Sequence, residues 1–104
     1  MKRRAATNGF GRSRRGNEMR ILGTHHVAVI CSDYPRAKRF YVEVLGLAVV
    51  AEAYRAARDS YKLDLRLPDG LQIELFSFPI PPKRLSYPEA CGLRHLAFEV
   101  ADLD

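Results

Sequence analysis

Three side chains that commonly bind divalent metal ions occupy similar places in three strand-like stretches. They are His26 in THHVAVIC (24–31), Glu74 in LQIELF (71–76) and His95 in LRHLAFEV (93–100). Polar and apolar residues alternate in each stretch, which is typical of a β-strand with one buried face. Each of the three side chains is therefore expected on a strand face that lies opposite an apolar one.

Imidazole and carboxylate groups bind Zn²⁺, Ni²⁺, Fe²⁺, Mn²⁺ or Co²⁺, and ligand type alone does not select among these ions. Two histidines and one carboxylate leave coordination positions open for water and substrate oxygens. A metal held in this way can act as a Lewis acid on a carbonyl group and stabilise an enediolate. The same ligand set equally suits oxygen chemistry at non-haem Fe²⁺. A single histidine on a strand is more often a packing or surface residue, so the hypothesis depends on all three positions together.

One helix is predicted directly after the first strand. Asp33 is a suitable N-cap for a helix over about 34–45, and Pro35 falls in the first turn, where its missing N–H costs little. Gly46 follows at the position that commonly ends a helix. Residues at helical spacing form one apolar stripe that can cover the strands, namely Ala37, Phe40, Tyr41 and Val44.

Three further strands are predicted after the helix, at 47–54, 61–67 and 71–76. The turn signal Pro68-Asp69-Gly70 predicts that the last two strands form a hairpin. The resulting order is β-α-β-β-β, which defines an α+β fold with one small sheet and one helix on its back.

A proline-rich linker over 78–92 is followed by a stretch, 93–100, that resembles the first strand. His26 precedes Asp33 by seven residues, and His95 precedes Asp102 by the same distance. This spacing indicates an internal repeat whose second copy has only begun at the last residue of the sequence.

The pattern resembles the vicinal oxygen chelate (VOC) superfamily, which includes glyoxalase I, bleomycin-resistance proteins and extradiol dioxygenases. The residues that carry the resemblance are HHVAVICSDYPRAKRFYVEVLGL, IELF and GLRHLAFEVADLD, and AYRAARDSYKLDL is similar to YaeR-like, glyoxalase-like members. The resemblance implies paired βαβββ modules that curl into a half-open barrel around a divalent metal. An incomplete VOC domain is then expected at 20–104, with a first module at 21–77, the linker, and the first strand of a second module.

The resemblance also implies the roles of the individual residues. His26, rather than His25, matches the first ligand through its spacing to Asp33; Glu74 and His95 match two others, and Glu74 also moves a proton. The fourth ligand, usually a Glu on the last strand of the second module, has no counterpart. The implied activity is that of a glyoxalase-I-like, lactoylglutathione-lyase-like enzyme. A non-catalytic, resistance-type binding protein and an extradiol-dioxygenase-like enzyme are the alternatives, and whether this chain alone is active stays open.

Candidate substrate-binding residues are Arg55, Arg58 and Phe76. The two arginines could bind an anionic small molecule at the mouth of the cleft, or they could be solvated and form ion pairs with Asp59. Ordinary packing explains Phe76 equally well.

The net charge of +5 is unevenly distributed. Seven basic residues and one acidic residue give positions 1–20 a charge of +6, and ten basic against eleven acidic residues leave −1 for positions 21–104. The tail at 1–19 is expected to be disordered, since it has few apolar residues and no regular period. A nucleic-acid partner is not favoured, and no apolar run is long enough for a membrane helix. Two widely spaced cysteines favour reduced thiols and a cytoplasmic location.

A single module buries little surface and leaves strand edges open. Three explanations are compatible with this. The sequence is part of a protein of roughly 125–150 residues, or two copies dimerise so that His26 and Glu74 of each chain form one symmetric site, or the chain is a metal-free remnant. We favour the first.

Overall fold

A computed structural model describes residues 19–102. Apart from Met19, the tail predicted for residues 1–19 lies outside the described residues. The elements in chain order are β1 (His26–Cys31), α1 (Tyr34–Arg39) with a π-helical segment (Phe40–Val44), β2 (Ala48–Arg55), β3 (Ser60–Arg66) and β4 (Gln72–Ser77). This order confirms the predicted βαβββ module. None of the helices among these residues is long and apolar enough to cross a membrane.

The four strands form one open, mixed sheet in the order β1-β4-β3-β2. β1 is parallel to β4, whereas β3 is antiparallel to both of its neighbours. The helical connection after β1 lets the chain return in the same direction, so β2 runs parallel to β1. The two antiparallel contacts that follow then give β4 the same direction as β1. The first and last strands of the predicted repeat are thereby placed side by side, with Ala28 opposite Glu74.

The two faces of the sheet differ in polarity. Leu63, Leu65, Ile73 and Leu75 are fully buried on one face. Apolar residues of α1 and the π-helical segment cover them, including Ala37 and Tyr41. The opposite face carries His26 and Glu74, since the burial pattern of β1 and β4 alternates with a period of two. β2 is an exposed edge strand, and its register to β3 shifts between Val49 and Ala51.

The helix begins as the sequence predicts but continues differently. Asp33 caps it, with Oδ1 accepting a hydrogen bond of 3.2 Å from the Arg36 N–H. After Arg39 the hydrogen bonds widen to the π pattern, and the Leu45 N–H donates to the Phe40 carbonyl at 2.9 Å. Five residues are too few for an apolar stripe to distinguish a π-helical period from an α-helical one, so the sequence predicted one continuous helix.

Glycines with positive φ occur where the sequence predicts the end of the helix and the turn of the hairpin. Gly46 has φ +72° after the π-helical segment, and Gly70 has φ +97° in the turn between β3 and β4. In that turn the Gly70 N–H donates to the Leu67 carbonyl at 3.0 Å, and Asp69 Oδ1 accepts from the Leu71 N–H at 3.0 Å. The predicted hairpin is confirmed.

Residues 93–100, where alternation predicts a strand, lie outside the hydrogen-bonded strands of the described chain. Leu96 and Phe98 instead pack against the buried apolar cluster of the sheet. Alternation in a sequence reports which side chains can be buried on one face, whereas a strand also needs a neighbouring backbone to pair with. Leu96 and Phe98 are therefore packed against the core although their backbone has no strand partner among the described residues.

Candidate functional site

His26 and Glu74 lie together on the polar face of the sheet. His26 starts β1 and pairs with Gln72, so Glu74 is the diagonal neighbour of His26 on the adjacent parallel strand. The His26 Nε2 atom is 3.8 Å from the Glu74 Oε2 atom, and the two side chains are 44% and 19% exposed. The structure thus brings together two of the three side chains that the sequence singles out.

His25 orients the His26 ring. The two Nδ1 atoms are 2.9 Å apart, so one ring nitrogen donates to the other, and the rings meet edge to face. Strict alternation would have placed His25 on the opposite face. The strand begins only at His26, however, so His25 precedes the pleat and its ring is able to reach its neighbour. The doubled histidine is the sequence signal that could have indicated this contact.

A lysine and a second carboxylate extend the polar face across β3. Asp64 is paired with Glu74 across the antiparallel strands. The Lys62 Nζ atom is 2.9 Å from Asp64 Oδ1 and 3.8 Å from Glu74 Oε2. Neither residue is a predicted ligand, although YKLDLRL places both on the polar side of an alternating strand.

The donor pair formed by His26 and Glu74 fits a divalent metal. Bonds of about 2.1 Å from a metal to nitrogen and to oxygen, at a tetrahedral angle, separate the two ligand atoms by about 3.4 Å. The observed separation of 3.8 Å is within a small side-chain rotation of that value. Within residues 19–102, however, no group of three or more His, Cys, Asp or Glu side chains is arranged to hold a metal ion.

His95 lies in a different place. It lines a cavity of about 360 Å³ together with Arg94, Glu89 and Cys91. Arg84 also lines this cavity and donates a hydrogen bond to the Leu93 carbonyl. The structure therefore does not bring His95 to the other two predicted ligands, and its role as a ligand stays a prediction.

The predicted substrate-binding residues are only partly connected to this site. Phe76 lies on the polar face, with the Lys62 Nζ atom 5.9 Å from its ring centroid. The Phe78 ring is nearly parallel to Phe76 at 6.2 Å, and the Arg58 guanidinium lies 5.0 Å from the Phe78 centroid. Arg58 is thus linked to the site through Phe78, the first residue of the predicted linker.

Arg55 is the last residue of β2, and its carbonyl accepts a hydrogen bond of 3.2 Å from the Arg58 N–H in the turn that follows. The alternative ion pairs to Asp59 are not among the salt bridges of residues 19–102. Asp59 instead accepts a hydrogen bond of 2.6 Å from the Tyr54 hydroxyl, which raises the pKa of Tyr54. A role for Arg55 in substrate binding stays a prediction.

A second polar cluster lies on the helix side of β2. Glu52 accepts a hydrogen bond from the Tyr34 hydroxyl and is bound by Lys38 Nζ at 3.0 Å. These two contacts, that of Tyr34 foremost, lower the pKa of Glu52. Burial and the Glu52 carboxylate raise the pKa of Tyr34. This cluster connects the helix to the edge strand and lies on the face opposite His26.

An apolar cavity of about 510 Å³ opens between α1 and β1. Val29, Phe40, Tyr41 and Leu75 line it, with Asp33 among the polar residues. Cavities of this size and polarity can hold a small organic molecule. No pattern in the sequence indicates this cavity, because an apolar stripe does not show where the helix stands away from the sheet.

The strand order and the polar face with its paired donors define a single βαβββ module of an open, mixed sheet. The model of the Glyoxalase/Bleomycin resistance protein/Dioxygenase superfamily matches residues 23–104, and the chain belongs to this superfamily. Members of the superfamily commonly use a divalent metal. The resemblance found in the sequence is thereby confirmed at the level of the family.

Similar proteins are known from several bacteria. The chain is 58% identical over 86 residues to "Uncharacterized protein YwkD" of Bacillus subtilis (strain 168), covering 83% of this chain and 67% of that protein. It is 59% identical over 80 residues to "Uncharacterized protein YaeR" of Escherichia coli (strain K12), covering 77% and 62%.

Two solved structures have a similar fold. The crystal structure of SMU.1112c shares 45% sequence identity at a TM-score of 0.74, covering 80% of this chain and 68% of that one. The glyoxalase family protein from Enterococcus faecalis shares 47% identity at a TM-score of 0.71, covering 78% and 64%. The matched part of the chain spans about two thirds of the length of these relatives.

Proposed function

We propose that this chain contributes a divalent-metal site to a glyoxalase-I-like, lactoylglutathione-lyase-like enzyme that acts on a small oxygenated substrate. The observation that carries the proposal is the 3.8 Å separation of His26 Nε2 and Glu74 Oε2 on neighbouring parallel strands. Membership of a superfamily in which a divalent metal is common supports it. His95 is proposed as a third ligand, which requires residues 93–100 to move from the position described above.

In this proposal the chain's own residues would bind the metal ion and transfer a substrate proton. His26 is a ligand through Nε2, and its Nδ1 contact with His25 fixes the ring. Glu74 is a ligand and the group that accepts and returns a substrate proton, as a partly buried carboxylate beside the reacting carbon can. When bound, Zn²⁺, Ni²⁺, Fe²⁺, Mn²⁺ or Co²⁺ would supply Lewis-acid polarisation of a substrate carbonyl.

Metal content is the first test. The purified chain should bind one of these ions, and His26→Ala or Glu74→Gln should abolish binding. Gln72→Ala is the matched control, because Gln72 lies on the same face of the same strand, two residues from Glu74. The metal-loaded chain should then isomerise the hemithioacetal of methylglyoxal and glutathione. Absence of bound metal, with no difference between the wild type and His26→Ala, would refute the proposal.

A non-catalytic binding module is the second candidate function. It is supported by the apolar cavity between α1 and β1, and by the finding that residues 19–102 bring together two rather than three potential metal donors. This alternative predicts that apolar small molecules bind equally well with and without metal and that His26→Ala has no effect on them. Extradiol-type chemistry is distinguished separately, since it predicts Fe²⁺-dependent oxygen uptake with a catechol.

We also propose that the chain forms a homodimer. β1 and β2 are open edges of the sheet. As the alternative to His95 as a ligand, a second copy could supply another His26 and Glu74 to complete a four-ligand site. This arrangement predicts 0.5 metal ion per chain and a dimer by light scattering, whereas a monomer with one ion per chain contradicts it. A cytoplasmic location, expected from the two free cysteines, stays part of the proposal.

A further inference from the structure

We propose that Lys62 positions the Glu74 carboxylate and competes with the metal ion for it, and that Asp64 sets the strength of this competition. The inference rests on the proposed function, because it concerns the same carboxylate. It adds two residues on a third strand, neither of which was a predicted ligand. Their combined effect would be to tune how tightly the site binds a cation.

The evidence begins with one oxygen atom. Glu74 Oε2 is 3.8 Å from His26 Nε2 and also 3.8 Å from Lys62 Nζ. The ammonium group of Lys62 is thus as close to this oxygen as the imidazole that would share the metal. Any cation that binds between His26 and Glu74 therefore enters a place where a positive charge is already present.

The register of β3 and β4 explains why a lysine is present at this point. Asp64 pairs directly with Glu74, and two like charges in such a pair destabilise a sheet. Lys62 Nζ, at 2.9 Å from Asp64 and 3.8 Å from Glu74, offsets this repulsion. Lys62 itself pairs with Phe76, whose ring limits where the ammonium can point.

Burial makes the contact stronger than a typical surface ion pair. The side chains of Lys62 and Glu74 are 30% and 19% exposed, so water screens them only in part. Charges within about 5 Å in such surroundings interact more strongly than fully solvated ones. Loss of the lysine charge should therefore tighten metal binding. Loss of Asp64 should weaken metal binding, because Glu74 would then be the remaining carboxylate neighbour of Lys62 among these three residues.

Calorimetric titration of the full chain with Zn²⁺ tests these opposite signs. Lys62→Gln should lower the dissociation constant roughly five- to tenfold, and Asp64→Asn should raise it by a similar factor. Lys62→Arg keeps the charge and should restore the wild-type value. In the Lys62→Gln background Asp64→Asn should have a smaller effect, because Asp64 then has no lysine to restrain.

Arg66→Gln is the matched control for net charge. Arg66 lies on the same strand and face as Lys62, but none of the salt bridges of residues 19–102 joins it to Asp64 or Glu74. Equal effects of Lys62→Gln and Arg66→Gln would overturn the inference while leaving the metal site intact. If the wild type binds no Zn²⁺, both the inference and the proposed function fail. Should Lys62→Gln not fold, Asp64→Asn decides alone, and unchanged or tighter binding refutes the proposal.

Discussion

His25 and His26 are joined through their Nδ1 atoms, 2.9 Å apart, although they are neighbours in the sequence. This contact leaves the Nε2 atom of His26 directed at Glu74. Histidines that bind metals in proteins usually have their second ring nitrogen fixed by a hydrogen bond. His25, the residue directly before β1, therefore provides the orienting hydrogen bond that in other metalloproteins comes from a carboxylate or a backbone carbonyl.

Replacement of His25 by Ala should weaken metal binding without unfolding the chain. The His26 ring would gain rotational freedom, and loss of such an orienting contact typically costs 10- to 100-fold in metal affinity. Titration with Zn²⁺, with circular dichroism as a check on folding, measures this. Thr24→Ala is the control, as it alters an exposed neighbour outside the strand. An unchanged affinity in His25→Ala would show that the contact does not orient His26.

The alternation of β1 and β4 was sufficient to predict that His26 and Glu74 share a face, because side-chain direction in a strand follows from the period alone. Their 3.8 Å approach also needs the parallel pairing of the two strands, which the βαβββ order suggests but no local pattern contains. Lys62 was missed for a related reason. A lysine on an alternating strand is ordinarily a solvated residue, and only the register to β4 reveals that it meets Glu74.

The position of His95 could not be predicted from the sequence. Its segment has the same alternation as β1, and the spacing to Asp102 repeats that of His26 to Asp33. Pairing partners, not alternation, decide whether such a segment becomes a strand. In the described chain Leu96 and Phe98 are packed against the core, while His95 lines a separate cavity.

Glu52 should contribute to stability in a pH-dependent manner. The hydrogen bond from Tyr34, followed by that from Lys38, lowers its pKa below the ordinary 4.5. A carboxyl group with a lowered pKa in the folded state stabilises the fold above its unfolded pKa and loses this effect as the pH falls through the folded value. The contribution should be about 0.5 kcal/mol or less, since the side chain is 34% exposed.

Urea unfolding of Glu52→Gln between pH 7 and pH 2.5 measures this contribution. The variant should be less stable than the wild type at pH 7, and the difference should disappear in the acid range. Glu43→Gln, at an exposed position of the π-helical segment, serves as the control. A difference that persists unchanged to pH 2.5 would mean that the lowered pKa of Glu52 is not its source.

The buried face of the sheet should dominate the stability of the module. Leu63→Ala removes a fully buried side chain of β3 and should cost about 2–5 kcal/mol in the free energy of unfolding. Val49→Ala on the edge strand β2, where the side chain is 49% exposed, should cost less than about 1 kcal/mol. Chemical denaturation measures both values. An equal loss of unfolding free energy in Leu63→Ala and Val49→Ala would indicate that β2 is covered in solution, for example by a second copy.

The two cysteines should differ in reactivity. Burial raises the pKa of the Cys31 thiol, whose Sγ atom contacts the Phe76 carbonyl at 3.4 Å, while Cys91 is exposed. The thiolate is the reactive form, so a raised pKa and restricted access both slow alkylation. Iodoacetamide at pH 8 should label Cys91 at least about tenfold faster than Cys31. Mass spectrometry of the digested chain measures the two rates. In 8 M urea the two rates should become similar, and equal rates in the folded chain would contradict the packing of β1 against the helix.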